Sequence, residues 1–308
     1  MNIGSAHTMS GRFEVEALGV IVAQFPSLPA MDYGDVDRNI DHIIEYMTRA
    51  AVGFPGYDLF VTPECVLQGS APDLGRVLLT LDSPQVGRLR DKCRELRVWG
   101  VFTGSFEIDG KKPCNTSLFI SDAGELAHAY VKINPFVPFE THYPGRAMKV
   151  SDGPKGSRIA TIICADGDFP ELWREAACMG ANVIVRSSRY MAPFEIGWEI
   201  TNKAGAYFNN CYVVACNAVG IDSGYVSFGD SMIVGPDGNI ICRAAKGVDW
   251  MLKADLYPRI VDEHRKKATS HNFLYEVVHR GGTHPAFSGT GDTVFPYPVY
   301  DAMKNEEE

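Results

Sequence analysis

A repeated order of apolar strands and amphipathic helices constrains the fold of this chain most. The apolar run 17–24 predicts a buried first strand. It is followed by a helix whose apolar residues, from Val36 to Ala51, recur at helical spacing after a predicted N-cap at Asp35. The other elements predicted in this half are a strand at 59–62, a helix at 85–96 and a strand at 99–105.

The same order returns in the second half, after a hairpin. Residues 115–131, with a turn at 122–125, predict a hairpin that adds antiparallel strands. The later predicted elements are strands at 159–163, 183–186, 212–217, 231–234, 239–244 and 250–255 and helices at 170–179, 194–209 and 257–267. Two β-α units with antiparallel additions predict an α/β fold, a four-layer α-β-β-α sandwich of two stacked sheets with helices outside.

The predicted domain organisation has three parts. Residues 1–16 are expected to form a flexible N-terminal tail, 17–268 one domain without an internal linker, and 269–308 a C-terminal extension that packs on the domain or on a neighbouring subunit. A long loop rich in proline and glycine, 134–156, interrupts the domain and is long enough to serve a function.

Composition and charge exclude several classes of partner. The formal charge of −9 and pI near 5.4 argue against nucleic acid and anionic membranes, since no lysine- or arginine-rich block offsets them. The start of the chain lacks the apolar region of a signal peptide, and no stretch reaches the about 18 apolar residues of a membrane span. The eight cysteines are scattered, which indicates reduced thiols and a cytoplasmic protein.

Three chemically active side chains stand where predicted strands end. Glu64 follows one strand, Lys132 a second and Cys164 a third. A carboxylate base, a cation and a thiol nucleophile are the groups that acyl transfer requires. Because Cys164 is predicted to face a helix N-terminus, its thiol pKa is expected to be lowered. The alternative is that Cys164 is an ordinary buried apolar residue, and that Lys132 is a solvated lysine.

Other candidate sites are weaker. Cys211 and Cys216 span a predicted buried strand without a second ligand pair, so core positions are favoured over zinc. The histidines lack metal-ligand spacing, Ser231 lacks the glycines of a serine nucleophile elbow, and the glycines form no phosphate loop. Neither a metal nor a cofactor is expected.

The three motifs together resemble the nitrilase superfamily of carbon–nitrogen hydrolases, over roughly residues 17 to 285. The matching segments are Pro63-Glu64, Lys132, Cys164-Ala165-Asp166-Gly167 and Phe169-Pro170-Glu171. Further segments look most like the aliphatic amidase and formamidase branch: Gly69, Tyr143-Pro144-Gly145, Ile184-Val185-Arg186, Asn209 to Val213 and His279-Arg280-Gly281.

The resemblance implies a thiol amidohydrolase that converts a small to medium carboxamide into the acid and ammonia through a thioester. It implies Cys164 as nucleophile, Glu64 as general base and then acid, and Lys132 with the backbone N–H of Ala165 as stabilisers of the oxyanion. Glu140, eight residues after Lys132, matches a second glutamate that positions substrate and base. Nitrile or N-carbamoyl hydrolysis is the alternative reaction, and a scaffold without turnover is the alternative class.

The chain departs from this branch at positions expected to contact the substrate. Cys65, Phe136 and Ala192 are each smaller than the residue usual there, and Ala165 replaces an acidic residue. With Tyr190 they form the predicted substrate-binding set, and the smaller side chains predict a wider pocket.

The resemblance also implies a homo-oligomer, either a dimer or a higher assembly such as a hexamer. The two helices expected at the interface carry large apolar residues that cannot all face the core. These residues are Phe169, Leu172, Trp173, Met179, Trp198, Tyr207 and Phe208.

Overall fold

A computed structural model describes residues 16–222, 224–267 and 271–274. The strands are β1 (Leu18–Gln24), β2 (Leu59–Val61), β3 (Trp99–Ile108), β4 (Lys111–Ile120), β5 (Leu126–Val131), β6 (Val150–Asp152), β7 (Arg158–Ile163), β8 (Val183–Ser188), β9 (Tyr212–Asn217), β10 (Val219–Asp222), β11 (Tyr225–Phe228), β12 (Met232–Val234), β13 (Ile240–Arg243) and β14 (Trp250–Leu256). The α-helices are α1 (Tyr33–Gly53), α2 (Pro84–Leu96), α3 (Pro170–Cys178), α4 (Glu195–Asn209) and α5 (Pro258–Arg265).

Two six-stranded sheets form the centre of the fold. Their strand orders are β14-β1-β2-β3-β4-β5 and β13-β12-β9-β8-β7-β6. In each sheet the three middle strands joined by helices are parallel: β1-β2-β3 in one and β7-β8-β9 in the other. Each sheet is extended by antiparallel strands on both sides. Parallel neighbours need helical crossovers, which explains why α1 to α4 fall inside these units.

Three apolar layers show that helices cover the outer face of both sheets. Alternate residues of β1 point to opposite faces, so Ile21 packs with α1 and α2 while Val22 packs between the sheets. A third cluster joins the second sheet to α3 and α4 through Trp173 and Trp198. The four-layer α-β-β-α sandwich predicted from the sequence is therefore confirmed.

The beginning of α1 corrects one prediction. The helix begins at Tyr33, and its N-cap is Asp32, whose carboxylate accepts a hydrogen bond from the Asp35 N–H at 3.1 Å. Asp35 lies in the first turn and accepts from the Met31 N–H at 2.8 Å. The prediction of Asp35 as the N-cap was therefore wrong, because Asp32 occupies the cap position. Asp35 lies inside the helix and adds a second hydrogen bond at the same end.

The predicted terminal segments fall mostly outside the described residues. Of the tail 1–16 only Glu16 is described, and of the extension 269–308 only 271–274, so these boundaries stay predictions. Phe273 lies against the end of α4, with ring centroids 5.0 Å from Tyr207 and 5.6 Å from Phe208. In the described part of the chain, no helix is both long and apolar enough to cross a membrane.

Candidate active site

The two sheets meet at the carboxyl ends of their parallel strands. Ser187 at the end of β8 donates to the carbonyl of Thr62 at 2.7 Å, and the Arg189 N–H donates to Glu64 Oε2 at 2.9 Å. Glu64 follows β2 in the first sheet, whereas Cys164 follows β7 in the second. The stacking of the sheets therefore brings together residues about 100 positions apart in sequence.

Lys132 holds two carboxylates at the end of β5. Its Nζ donates to Glu64 Oε1 at 3.0 Å and to the two oxygens of Glu140 at 2.9 and 2.8 Å. The Glu64 and Lys132 side chains are 4% and 1% exposed, so water screens this pair little. Glu140 is fixed further by the Phe136 N–H, which donates to Oε2 at 2.6 Å.

Asn115 joins the two carboxylates. Its Nδ2 donates to Glu64 Oε1 at 2.8 Å and to Glu140 Oε1 at 3.0 Å. Its backbone carbonyl accepts from the Lys132 N–H at 2.8 Å, which ties this residue of β4 to the lysine as well. Asn115 therefore fixes the separation of the two carboxylates as well as their orientation.

The electrostatics of the cluster favour the charged forms of Glu64 and Lys132. Burial alone would raise the pKa of Glu64, but the Lys132 ammonium, with Arg189 and Asn115, lowers that pKa to about 2. Burial alone would lower the pKa of Lys132, but the negative charges of Glu64 and Glu140 raise it well above its usual value. Glu64 is therefore an ionised base at neutral pH.

Cys164 begins a short 3₁₀ turn, Cys164–Asp168, with left-handed backbone at φ 49°. This conformation costs a residue other than glycine about 1–3 kcal/mol and persists only where surrounding contacts enforce it. Asp166 supplies some of these contacts: its Oδ2 accepts from the Tyr130 hydroxyl at 2.8 Å and the Ile163 N–H at 3.1 Å. Its Oδ1 accepts from the Asn134 N–H at 2.8 Å, which links the turn to the segment after Lys132.

Arg186 of β8 clamps the carbonyl of Cys164. Its Nε and Nη2 donate to that oxygen at 2.9 and 2.6 Å, and Nη1 donates to Thr201 at 2.7 Å. The guanidinium lies 5.0 Å from the ring centroids of both Tyr190 and Trp198. A buried guanidinium is tolerated when its nitrogens are hydrogen-bonded, and here Nε, Nη1 and Nη2 each donate a hydrogen bond.

The Cys164 thiol is neutral at rest, which corrects the expectation of a lowered pKa. Burial, and then the Glu64 charge, raise its pKa well above the usual value, although Lys132 opposes them. Glu140 also disfavours a negative charge on the sulfur, and the cations Lys132 and Arg186 do not offset burial and the two carboxylates. Moreover, the next α-helix, α3, begins only at Pro170, so Cys164 does not lie directly at a helix N-terminus.

A small pocket of about 100 Å³ opens beside Cys164. Its wall contains three of the residues predicted to bind substrate, Phe136, Ala165 and Tyr190. Among the residues that the structure describes, those that line it are Phe136, Cys164, Ala165, Asp168, Tyr190, Met191 and Phe194.

Two residues of the predicted substrate-binding set lie outside this wall. Cys65 is buried next to Glu64, and Ala192 is exposed, with its N–H donating to the carbonyl of Val226 at 2.9 Å. The predicted widening of the pocket at these two positions stays a prediction. Phe136 remains in the wall, where its ring stacks on Phe139 at 5.2 Å.

The sequence alone assigned no role to Asn115, Asp168 or Arg186. Arg186 stood inside a family-like segment and Asp168 between two of them, and this position was the available signal. Asn115 lay in a predicted hairpin strand with no chemical motif around it. Among the described residues, no group of three histidine, cysteine, aspartate or glutamate side chains could hold a metal ion.

Comparison with known proteins assigns the family. Residues 20–265 match the family model of the carbon-nitrogen hydrolases. A formamidase of Photorhabdus laumondii is 35% identical over 272 residues, which cover 86% of this chain and 80% of that protein.

Solved structures agree on the fold. Saccharomyces cerevisiae Nit3, of the nitrilase superfamily, superposes with a TM-score of 0.73 at 24% identity, covering 83% of this chain and 95% of that one. An amidase of Nesterenkonia AN1 superposes with a TM-score of 0.72 at 22% identity, covering 87% and 96%. The resemblance inferred from the sequence is confirmed, and the chain belongs to the carbon–nitrogen hydrolase family of the nitrilase superfamily, on the branch of the amidases and formamidases.

Proposed function

We propose that this protein hydrolyses short carboxamides through a thioester on Cys164. The observation that carries the proposal is the cluster of buried Glu64 and Lys132 with half-buried Glu140, beside a half-buried thiol in the wall of a small pocket. The formamidase relatives and the family match support amide hydrolysis as the reaction class.

In the first step, the sulfur of Cys164 attacks the amide carbon while Glu64 takes the thiol proton. Because the resting thiol is neutral, proton transfer and attack occur together. Lys132 and the backbone N–H of Ala165 stabilise the negative charge on the carbonyl oxygen. All three N–H groups of the Lys132 ammonium already donate to carboxylates. One hydrogen bond to Glu140 is therefore exchanged for a hydrogen bond to the oxyanion. Glu64 then gives the proton to the leaving nitrogen, and ammonia departs as the C–N bond breaks.

In the second step, Glu64 takes a proton from water, and the resulting hydroxide attacks the thioester carbon. The C–S bond breaks, the acid leaves, and the proton returns from Glu64 to the sulfur of Cys164. Glu140 and Asn115 do not exchange protons in this scheme. They keep the Glu64 carboxylate in place on Lys132 through both steps.

The size of the pocket supports a short acyl group. Its volume of about 100 Å³ lies below the roughly 300–1,000 Å³ of pockets for drug-sized ligands. We therefore expect amides of a few carbon atoms to be preferred over ring-bearing ones.

Ammonia release from short amides, the matching nitriles and N-carbamoyl compounds tests the proposal. Wild-type protein is expected to release ammonia from amides. Cys164→Ala is expected to release none, and Cys242→Ala, which removes a half-buried thiol on β13, serves as the matched control. Faster turnover of a nitrile than of its amide would contradict the proposal, as would activity in Cys164→Ala.

Self-association and a cytoplasmic location are part of the same proposal. On α3, α4 and the residues before them, Phe169, Ile196 and Phe208 are 45%, 75% and 50% exposed, which supports an interface between copies. Leu172, Trp173 and Trp198 are buried and belong to the core instead. All eight cysteines are free thiols, which supports a reducing compartment.

A further inference from the structure

The pocket beside Cys164 contains one carboxylate that the proposed reaction does not use. Asp168 is the last residue of the 3₁₀ turn Cys164–Asp168, here called the nucleophile turn. Its side chain lines the pocket and is 37% exposed. Its Oδ1 accepts from Arg186 Nη2 at 3.2 Å and from the Tyr190 hydroxyl at 2.8 Å. Within the described residues its Oδ2 has no hydrogen-bond partner, so this oxygen is available to a ligand.

The rest of the wall is aromatic and apolar. Phe136, Tyr190 and Phe194 contribute rings, and Met191 contributes a thioether. The Tyr190 ring already contacts the Arg186 guanidinium and one face of Phe136 stacks on Phe139, so the other face of Phe136 and the ring of Phe194 remain for a ligand. Aromatic faces beside a carboxylate attract an ammonium group, because the ring quadrupole and the carboxylate favour the same charge.

We propose that the preferred substrates are short carboxamides with a protonated amine at the end away from the amide. The ammonium would donate to Asp168 Oδ2 and lie against Phe136 and Phe194. This inference rests on the amidase function proposed above and names the substrate class of the same pocket.

The small volume of the pocket limits the length of such a substrate. Cys164 and Asp168 line the same space of about 100 Å³. A chain of one or two methylene groups between the acyl carbon and the ammonium keeps the substrate within this space. Aminoacetamide and 3-aminopropanamide therefore fit the pocket.

The charges near the pocket agree with a cationic ligand. Arg186 is fully buried behind the Cys164 carbonyl and does not line the pocket, whereas the Asp168 side chain lines it and is 37% exposed, so a ligand meets the carboxylate. The whole chain carries a formal charge of −9, which also raises the local concentration of cations. A carboxylate on the substrate would face Asp168 and is disfavoured.

A pair of isosteric substrates tests the inference. In 3-aminopropanamide an ammonium replaces the terminal methyl of butyramide, with no change in the number of heavy atoms. In wild-type protein we expect kcat/KM at pH 7 to be higher by about tenfold or more for the ammonium amide, since a charge-assisted bond replaces an apolar contact. Aminoacetamide and propionamide form a second such pair.

Asp168→Asn keeps an oxygen for Tyr190 and removes the charge. The ratio of kcat/KM between the two isosteres is expected to fall at least about tenfold. Glu171→Gln is the matched control, because it removes an exposed carboxylate three residues further on that does not line the pocket. This variant is expected to keep the wild-type ratio.

Each outcome either supports or overturns the inference. Equal or better turnover of butyramide by wild-type protein would overturn it while leaving the amidase function intact. An equal loss for both substrates in Asp168→Asn, with their ratio unchanged, would assign Asp168 a purely structural part and would also overturn it. Absence of ammonia release from every amide would instead refute the proposed function.

Discussion

Replacing Gly167 by alanine should disturb the nucleophile without touching any reacting group. Gly167 lies in the turn after Cys164, and a Cβ at this position would stand 2.2 Å from both Cζ and Nε of Arg186. The end of an arginine can usually swing away from such a contact. Here it cannot, because Arg186 is 0% exposed and is held between the rings of Tyr190 and Trp198.

The magnitude follows from two costs. Overpacking a rigid buried site costs about 1–3 kcal/mol. Displacing the guanidinium removes both hydrogen bonds to the Cys164 carbonyl, and an unsatisfied buried acceptor costs about 1–3 kcal/mol more. We therefore expect Gly167→Ala to lower the free energy of unfolding by about 2–6 kcal/mol. A displacement of Cys164 by about 1 Å would lower kcat roughly 100-fold.

Urea denaturation and ammonia release measure the two effects. The matched control is Gly87→Ala in α2, where a Cβ meets nothing within 4 Å. This change in a helix interior should stabilise the protein by about 0.5–1 kcal/mol and leave kcat unchanged. Wild-type stability and kcat in Gly167→Ala would refute the claim that the hydrogen bonds from Arg186 hold the Cys164 backbone in place.

The remaining predictions concern the nucleophile, a buried histidine, metal dependence and assembly. Cys164→Ala should fold with a wild-type circular dichroism spectrum and lack turnover; normal turnover would contradict the assignment. Burial lowers the pKa of His128 from 6.5 to about 4, so the unfolded state binds more protons between these values. His128 should therefore lower the free energy of unfolding by roughly 3 kcal/mol as the pH drops from 6.5 to 4. In urea titrations at several pH values, His128→Gln should remove this part of the pH dependence. EDTA should leave activity unchanged, and loss reversed by added zinc would count against the thiol mechanism. Ile200→Asp on α4, at a side chain 58% exposed, should shift sedimentation toward smaller species, whereas an unchanged distribution would place the interface elsewhere.

Much of the fold could be predicted because most of its parallel central strands are buried on both faces. A run such as β1, buried throughout, indicates a central strand, and the polar residue at its end marks the edge where a site forms. This rule placed Glu64, Lys132 and Cys164 correctly at strand ends. The hairpin of β10 and β11 was not predicted, because exposed residues such as Ile221 and Val226 interrupt the alternation there.

The chemical state of the site could not be read from sequence. The pKa of the Cys164 thiol depends on burial and on two carboxylates from distant segments, which no local sequence pattern reveals. The bonds from Asn115 to both carboxylates, and those from Arg186 to the Cys164 carbonyl, likewise depend on tertiary contacts. Asn115 and Arg186 belong to no recognisable chemical motif, so their roles become visible only from their contacts in the folded protein.

The central claim is that amide hydrolysis passes through a thioester on Cys164. Its most direct test measures how the acyl group partitions between water and hydroxylamine, as the ratio of hydroxamate to acid. Butyramide and methyl butyrate have different leaving groups but would give the same acyl-enzyme. We predict the same ratio from both substrates and neither product with Cys164→Ala. Ratios that differ between the amide and the ester would contradict a common thioester intermediate.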